Sequence, residues 1–588
     1  MIFRVWAPRA SRVELVLDGS RIEMERVGER GWVAASVEDA AGLDYAFALD
    51  GGEPLPDPRS PWQPRGVAGP SRLVDHAAFH WTDSRWRGFH LPSEVIYELH
   101  VGTFSPEGTF EGVIDRLDAL LELGVGVIEL MPVNQFPGRW GWGYDGVDLY
   151  AVHDAYGGPE GLKRLVDACH ERGLGLILDV VYNHLGPTGN HLDRFAPYFT
   201  DRYETPWGEA VNLDGPGSDE VRAFFLDNAL MWLRDYHVDG LRLDAIHAFL
   251  DGSARHFLEE LSERVEELEA ALGRPLWLIA ESDLNDPRIV RRREVGGYGI
   301  DAQWSDDLHH ALHSVLTGER GGYYVDFGAL EDVASALRGV FVNDGRWSTY
   351  RQRRHGRPVT DLSAHRFIGY LQSHDQVGNR ARGERIGQLA SRGLVEIGAA
   401  LVLTAPTVPM IFAGEEWAAS TPFLYFTDHD DPELGAAVRE GRRREFAAFG
   451  WAPESVPDPQ DPETFARSRL RWAERSESPH REMLEWIRAL IALRRSTPEL
   501  LDGRLEQVAV WVDEAARTIV VRRAGIVVAA NLGDRPRRVG LPAGADGGEL
   551  LLRSKPEARL SGAEMALPPE SCAVIRIRAV GEPRDAVR

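Results

Sequence analysis

From residue 95 onward, short apolar runs alternate with longer segments of helical periodicity. The runs are VIYELHV (95–101), GVIELMPV (126–133), GLILDVVY (175–182), DGLRLDA (239–245), LWLIAES (276–282), DAQWS (301–305), FIGYLQS (367–373) and PMIFAGE (409–415). Helical patterns such as EGLKRLVDACHERG (160–173), VRAFFLDNALMWLRDYH (221–237) and LEELSERVEELEAALG (258–273) separate most of them. Apolar strands alternating with helices predict a parallel sheet. Eight such units over about 400 residues predict a (β/α)8 barrel with insertions. DAQWS, short and polar, is the weakest of the eight. The connection 184–218, between the third strand and its helix, is long enough to carry function.

The flanks have a different period. RVELVLDG and GWVAASVEDA near the start alternate as strands do, and DGGEPLPDPRSPWQPRG is turn-rich. After residue 503 the alternation returns in QVAVWVDEAARTIVVRRAGIVVAANLG and SCAVIRIRAV. The expected fold class is therefore α/β: a β-sandwich at 1–88, a (β/α)8 TIM barrel at 89–502 and a β domain at 503–588. The final GEPRDAVR reads as a loose tail, and the basic run VREGRRREF (438–446) as a solvated helix face.

Charge narrows the partners. A net charge of −25 repels phosphate backbones, so nucleic acid is not expected. Two cysteines, Cys169 and Cys572, make neither a disulfide framework nor a zinc site. Cys169 reads as a small core residue. No run approaches the roughly 20 apolar residues of a membrane span, and the N-terminus lacks a signal-peptide core. A cytoplasmic protein without a membrane partner is expected.

In such barrels catalysis sits at the C-terminal ends of the strands. Those ends carry Asp179 and His184 (strand three), Asp244 (four), Glu281 (five), and His374 and Asp375 (seven). Several carboxylates without a metal-type cluster suit glycoside hydrolysis, which needs one carboxylate at the anomeric carbon and one protonated acid at the leaving oxygen. Arg242 beside Asp244 favours an ionised nucleophile. The apolar run before Glu281 predicts desolvation and a retained proton there.

Four stretches in order, DVVYNH (179–184), GLRLDAIH (240–247), IAES (279–282) and QSHDQ (372–376), resemble the sequence signatures of the alpha-amylase superfamily. The resemblance implies Asp244 as nucleophile, Glu281 as general acid/base and Asp375 as the third acid, in a retaining reaction. It places Arg242, His184 and His374 around the reacting glucose and Tyr144 beneath it, and Gln376 is expected among the substrate-binding residues. The first domain resembles the carbohydrate-binding-like domain of branching and debranching enzymes.

Further stretches, IYELHVGTFSPEGTF, ELMPVNQFPGRWGWGYDGVDLYAV, FAGEEW, FLYFTDH and VPDPQDPETFARSRL, resemble the trehalohydrolases that act on maltooligosyltrehalose. That family cleaves the α-1,4 bond next to a terminal trehalose, downstream of a maltooligosyltrehalose synthase with which no stable complex is implied. It requires no cofactor or metal. A branching enzyme and an α-1,6 debranching enzyme are the alternatives. His247, where typical alpha-amylases carry a Lys–His pair, is either a trehalose contact or a structurally bonded histidine. Trp142 is expected as a sugar platform and Trp140 as a packing residue. Glu415 and Glu416 are either rim hydrogen bonders or a structural pair, and Asp428 and His429 shape the far side of the cleft or only order a loop.

Overall fold

The computed structural model describes residues 1–38, 42–447, 451–452, 455–543 and 545–579. The GEPRDAVR tail lies outside the described residues. Eight parallel strands close into a barrel: β1 (Ile96–Leu99), β2 (Val127–Leu130), β3 (Gly175–Val180), β4 (Gly240–Leu243), β5 (Trp277–Ala280), β6 (Ala302–Trp304), β7 (Phe367–Tyr370) and β8 (Val408–Phe412). β8 pairs with β1 to complete the ring. Each strand coincides with one of the eight apolar runs, the short β6 included.

Alternation with period two sorts each strand into two sets. Ile96, Val127, Ile177, Ile279, Ala302, Trp304, Ile368, Tyr370, Val408 and Met410 form one buried cluster inside the barrel. Tyr97, Leu99, Ile128, Leu130, Leu178, Leu241, Leu243 and Leu278 belong to the large cluster shared with the helices outside. In β4 this parity sends Leu241 and Leu243 outward and leaves Arg242 inside, where it is 1% exposed. An arginine between two leucines is thus the polar phase of a buried strand.

The strands before the barrel form a three-stranded sheet (Ile2–Trp6, Glu25–Val27, Trp32–Ser36) and a five-stranded one built on Val13–Leu17 and Asp44–Leu49. The sheets meet through Phe3 and Tyr45, whose rings lie edge to face at 4.9 Å. Those after it form a five-stranded and a three-stranded sheet. Buried Arg523 ties them to the barrel by donating to the carbonyls of Thr404, Ala405 and Leu500. The 184–218 connection carries an antiparallel hairpin, Phe199–Thr205 and Gly208–Val211, before the helix Ser218–Asp235. A second insertion, between β6 and β7, carries helices Asp306–Thr317 and Leu330–Gly339 and a short hairpin at Trp347–Ser348 and Arg353–Arg354.

The segment entering the barrel is clasped to its lower end. His170 Nδ1 meets Asp83 Oδ2 at 2.9 Å and its Nε2 meets Asp239 Oδ2 at 2.9 Å. Trp86 stacks on His170 at 4.7 Å and donates to Asp239 at 2.7 Å. Acceptors at both ring nitrogens demand an imidazolium. Burial pulls the His170 pKa down, and its bonds to Asp239 and Asp83 more than reverse that, leaving it raised. Because folding raises this pKa, the stabilisation is complete below the unfolded value of about 6.5 and is lost as pH rises through the folded value. His170→Gln is therefore expected to cost about 3 kcal/mol at pH 6 and less at pH 9. Thermal unfolding of both proteins at the two pH values checks this; an equal Tm difference at both would contradict the charged clasp.

Candidate active site

The upper interior of the barrel is ionic. Arg242 Nη1 donates to Asp179 Oδ2 at 2.7 Å and to Asp244 Oδ1 at 2.8 Å. Its Nη2 lies 3.2 Å from Glu281 Oε2, and the guanidinium sits 4.5 Å over the Trp304 ring. One buried cation thus serves three carboxyls from β3, β4 and β5. Glu281 also accepts the Ala245 N–H at 2.6 Å.

This changes one expectation. Arg242 does not serve Asp244 alone, and Glu281 is not left in apolar surroundings: it holds both the guanidinium and a backbone N–H. Desolvation falls instead on Asp244. Burial pushes its carboxyl well above the usual carboxylate range, and Arg242 pulls against that. Burial also raises Asp179, again opposed first by Arg242. The strand pattern hides this, because the partners of Glu281 come from β4 and the turn after it.

Across the site, Tyr144 donates to Asp179 Oδ2 at 2.7 Å, lies 2.8 Å from His374 Nε2 and stacks on the His374 ring at 5.2 Å. Ser373 accepts the Asp375 N–H and so caps the short helix His374–Gly378. Asp375 Oδ1 accepts from Asn379 at 2.6 Å. Burial raises the Asp375 pKa and the neighbouring His374 opposes it. His184 stacks on Trp207 at 4.8 Å and its Nε2 meets the Tyr144 carbonyl at 3.0 Å. Burial lowers its pKa to about 4, so it is neutral at neutral pH. Gln376 accepts from Ser373 at 2.7 Å.

A cavity of about 330 Å³ opens beside these groups and takes Asp244, Glu281, Asp375, Gln376 and His247 into its wall. Its far wall comes from the β6–β7 insertion: Tyr323, Asp326, Phe327, Tyr350 and Arg351, with Trp207 from the 199–211 hairpin. Arg351 pairs with Asp283 at 2.9 Å. His247 Nδ1 stands 3.9 Å from Asp283 Oδ1 and makes no hydrogen bond among the described residues.

Trp142 and the basic run 438–446 differ from their expected places, and the other residues take one of theirs. Trp142 is not an open sugar platform. It is 6% exposed, stacks on Phe423 at 5.1 Å and donates to the Leu424 carbonyl at 2.9 Å. It supports Tyr144 and His374 from behind. Trp140 does pack, against Phe465 at 5.6 Å. Glu415 and Glu416 are buried, and Glu416 accepts from Tyr97 at 2.9 Å. Asp428 accepts the Arg139 N–H at 2.7 Å and orders that loop. In the run read as a solvated face, Arg442 instead packs over Tyr425 at 4.4 Å and donates to Asn379 at 2.9 Å.

Sequence reasoning passed over Glu98, Asp306, Trp207 and the whole β6–β7 insertion. Glu98 had a signal: it is the one acid in VIYELHV, at an inward position of β1. Asp306 begins the helix after β6 and accepts from Tyr370.

The alpha-amylase catalytic-domain family model matches residues 75–203, and a domain of unknown function, DUF3459, matches residues 503–574. The malto-oligosyltrehalose trehalohydrolase of Rhizobium sp. (strain M-11) is 50% identical over 583 residues, covering 98% of this chain and 97% of that one. The chain belongs to the malto-oligosyltrehalose trehalohydrolase family. A crystal structure of a Salmonella typhimurium protein assigned as an alpha amylase superposes with a TM-score of 0.90 at 39% identity, covering 98% of this chain and 97% of that one. The 1,4-alpha-glucan branching enzyme of Bacillus caldolyticus is 34% identical, over 52% of this chain and 50% of its own.

The position of Trp142 yields a prediction. Trp142→Ala is expected to cost about 3 kcal/mol or more by leaving a core cavity, seen as a lower Tm. A raised KM at unchanged Tm would instead mark a surface platform.

Proposed function

We propose that this chain is a retaining glycoside hydrolase that cleaves the α-1,4-glucosidic bond next to the terminal trehalose of maltooligosyltrehalose. The products are trehalose and a shortened maltooligosaccharide. The observation that carries the mechanism is the anchoring of Asp244 and Glu281 on adjacent nitrogens of one guanidinium. This supports a short carboxylate separation of the retaining kind, about 5–5.5 Å. Asp244 attacks the anomeric carbon. Glu281 gives its proton to the leaving oxygen and then activates water. Three carboxyls around one cation in a buried floor do not all ionise without cost, so the cluster as a whole favours holding a proton that can pass to the leaving oxygen.

Asp375 and His374, with Tyr144 beneath, are placed to grip the glucose at the reacting end. The cavity walled by Trp207, His247, Tyr323, Tyr350 and Arg351 takes the trehalose unit. Aromatic faces with carboxylate and guanidinium acceptors and donors between them suit a disaccharide rich in hydroxyls.

The branching enzyme remains a second reading only through its half-length likeness. The supply of substrate implies a maltooligosyltrehalose synthase upstream. Among the described residues no helix is long and apolar enough to cross a membrane. Both cysteines are free and buried, which supports a cytoplasmic setting.

Product chromatography tests the reading. Maltotriosyl-trehalose should release free trehalose quickly and maltopentaose should be attacked slowly. Amylose gaining α-1,6 branches without new reducing ends would contradict the assignment. Asp244→Asn is expected to lower turnover by about 10⁴-fold or more at unchanged Tm; substantial residual turnover would remove Asp244 as nucleophile.

A further inference from the structure

Behind the residues that face substrate lies a second pair of acids. Glu98 on β1 and Glu129 on β2 are both 1% exposed and stand side by side in the parallel register, one strand spacing of about 4.8 Å apart. Their inward parity matches that of Asp179 and Arg242. Glu98 is fully engaged: Oε2 accepts the His374 N–H at 2.9 Å and Oε1 meets His374 Nδ1. Glu129 Oε2 meets no donor among the described residues.

The hydrogen bonds from Glu98 to Arg242 can be counted proton by proton. Asp179 Oδ2 accepts from Arg242 Nη1 at 2.7 Å and also faces the Tyr144 hydroxyl at 2.7 Å. A phenol has one proton, so Tyr144 spends it on Asp179. The 2.8 Å contact between Tyr144 and His374 Nε2 then needs a proton on Nε2. The contact between Nδ1 and Glu98 needs another. His374 is an imidazolium that donates to Glu98 and to Tyr144; Tyr144 in turn donates to Asp179, and Arg242 donates to both Asp179 and Asp244.

We propose that Glu98 is a positioning residue of this hydrolase: as the ionised member of a buried carboxyl pair, whose neutral member is Glu129, it keeps His374 charged and thereby fixes the Tyr144 hydroxyl on Asp179 and Arg242 on Asp244. The inference rests on the hydrolase reading above. Two adjacent buried carboxyls do not both ionise. The one with two N–H donors is the carboxylate, and Glu129, whose Oε2 meets no donor among the described residues, is the acid. The groups facing Glu129 from neighbouring strands are Glu98, Asp179 and Arg242. Burial first, then Glu98, raises its pKa well above the carboxylate range, and Arg242 opposes them. The groups facing His374 are Glu98, Arg242, Tyr144, Asp375, Asp179 and His100. Burial lowers its pKa and Glu98 more than compensates, leaving it raised.

The test uses the full chain with maltotriosyl-trehalose. Glu129→Gln, an isostere of the neutral acid, should keep kcat within about threefold and leave the alkaline limb of the kcat profile in place. Glu98→Gln should lower kcat by about 10²-fold or more and move the alkaline limb down by about one pH unit or more. Equal losses in both variants at unchanged Tm, or a Glu98→Gln profile matching the wild type, would overturn the proposal. Should Glu98→Gln not fold, histidine-ring nitrogen NMR of the wild type decides, with His374→Gln to assign the signal. Two ring N–H groups at neutral pH support the proposal, and a neutral ring overturns it. This readout needs no turnover. A wild-type protein that released no trehalose would defeat the functional reading and leave the charge of His374 separately answered.

Discussion

Arg242 is the constraint on which the site depends. It is a fully buried cation whose position follows from the parity of β4, and three strand-end acids converge on it. Removing a partner from such a cluster leaves an uncompensated buried charge, which costs several kcal/mol. The cluster also defines direction. The two carboxyls proposed for the chemistry, Asp244 and Glu281, are held by different nitrogens of one rigid fork, so their spacing follows from a planar group rather than from loop packing. Asp179, below them, completes the fork and ties it to Tyr144 and His374.

The barrel gives this cluster its low dielectric, and the insertions give it a shape. Below the ionic layer the interior is filled by Ile96, Val127, Ile177, Ile279, Ile368 and Val408, which gives Arg242 an apolar floor. Above it, the 199–211 hairpin and the β6–β7 insertion build the wall proposed to receive the leaving group. The same superfamily core can serve hydrolysis or transfer. Here the wall combines aromatic rings with acids and the Arg351 guanidinium.

Much of this was legible in the chain. The eight strands could be read because each is an apolar run bounded by turn residues, and the strand-end acids because four motifs lie in register with those runs. Asp244, Glu281, Asp375, His374 and Tyr144 do meet in one place. The partners were not legible. That Glu281 bonds Arg242 and Ala245, and that Glu98 bonds His374, are contacts between strands distant in sequence. The β6–β7 insertion has helices of its own and gave no motif. Trp142 misled for a physical reason: a glycine-rich loop with tryptophans suggests an exposed platform, yet Gly378 has no side chain and leaves room for the Trp142 ring to sink into the core.

The most direct measurement is to trap the covalent intermediate with a fluorinated maltosyl fluoride and locate the adduct by peptide mass spectrometry. The account predicts a glycosyl ester on Asp244, the carboxyl that shares Arg242 Nη1 with Asp179. An adduct on Glu281 or Asp375, or inversion at the anomeric carbon with no adduct, would contradict it.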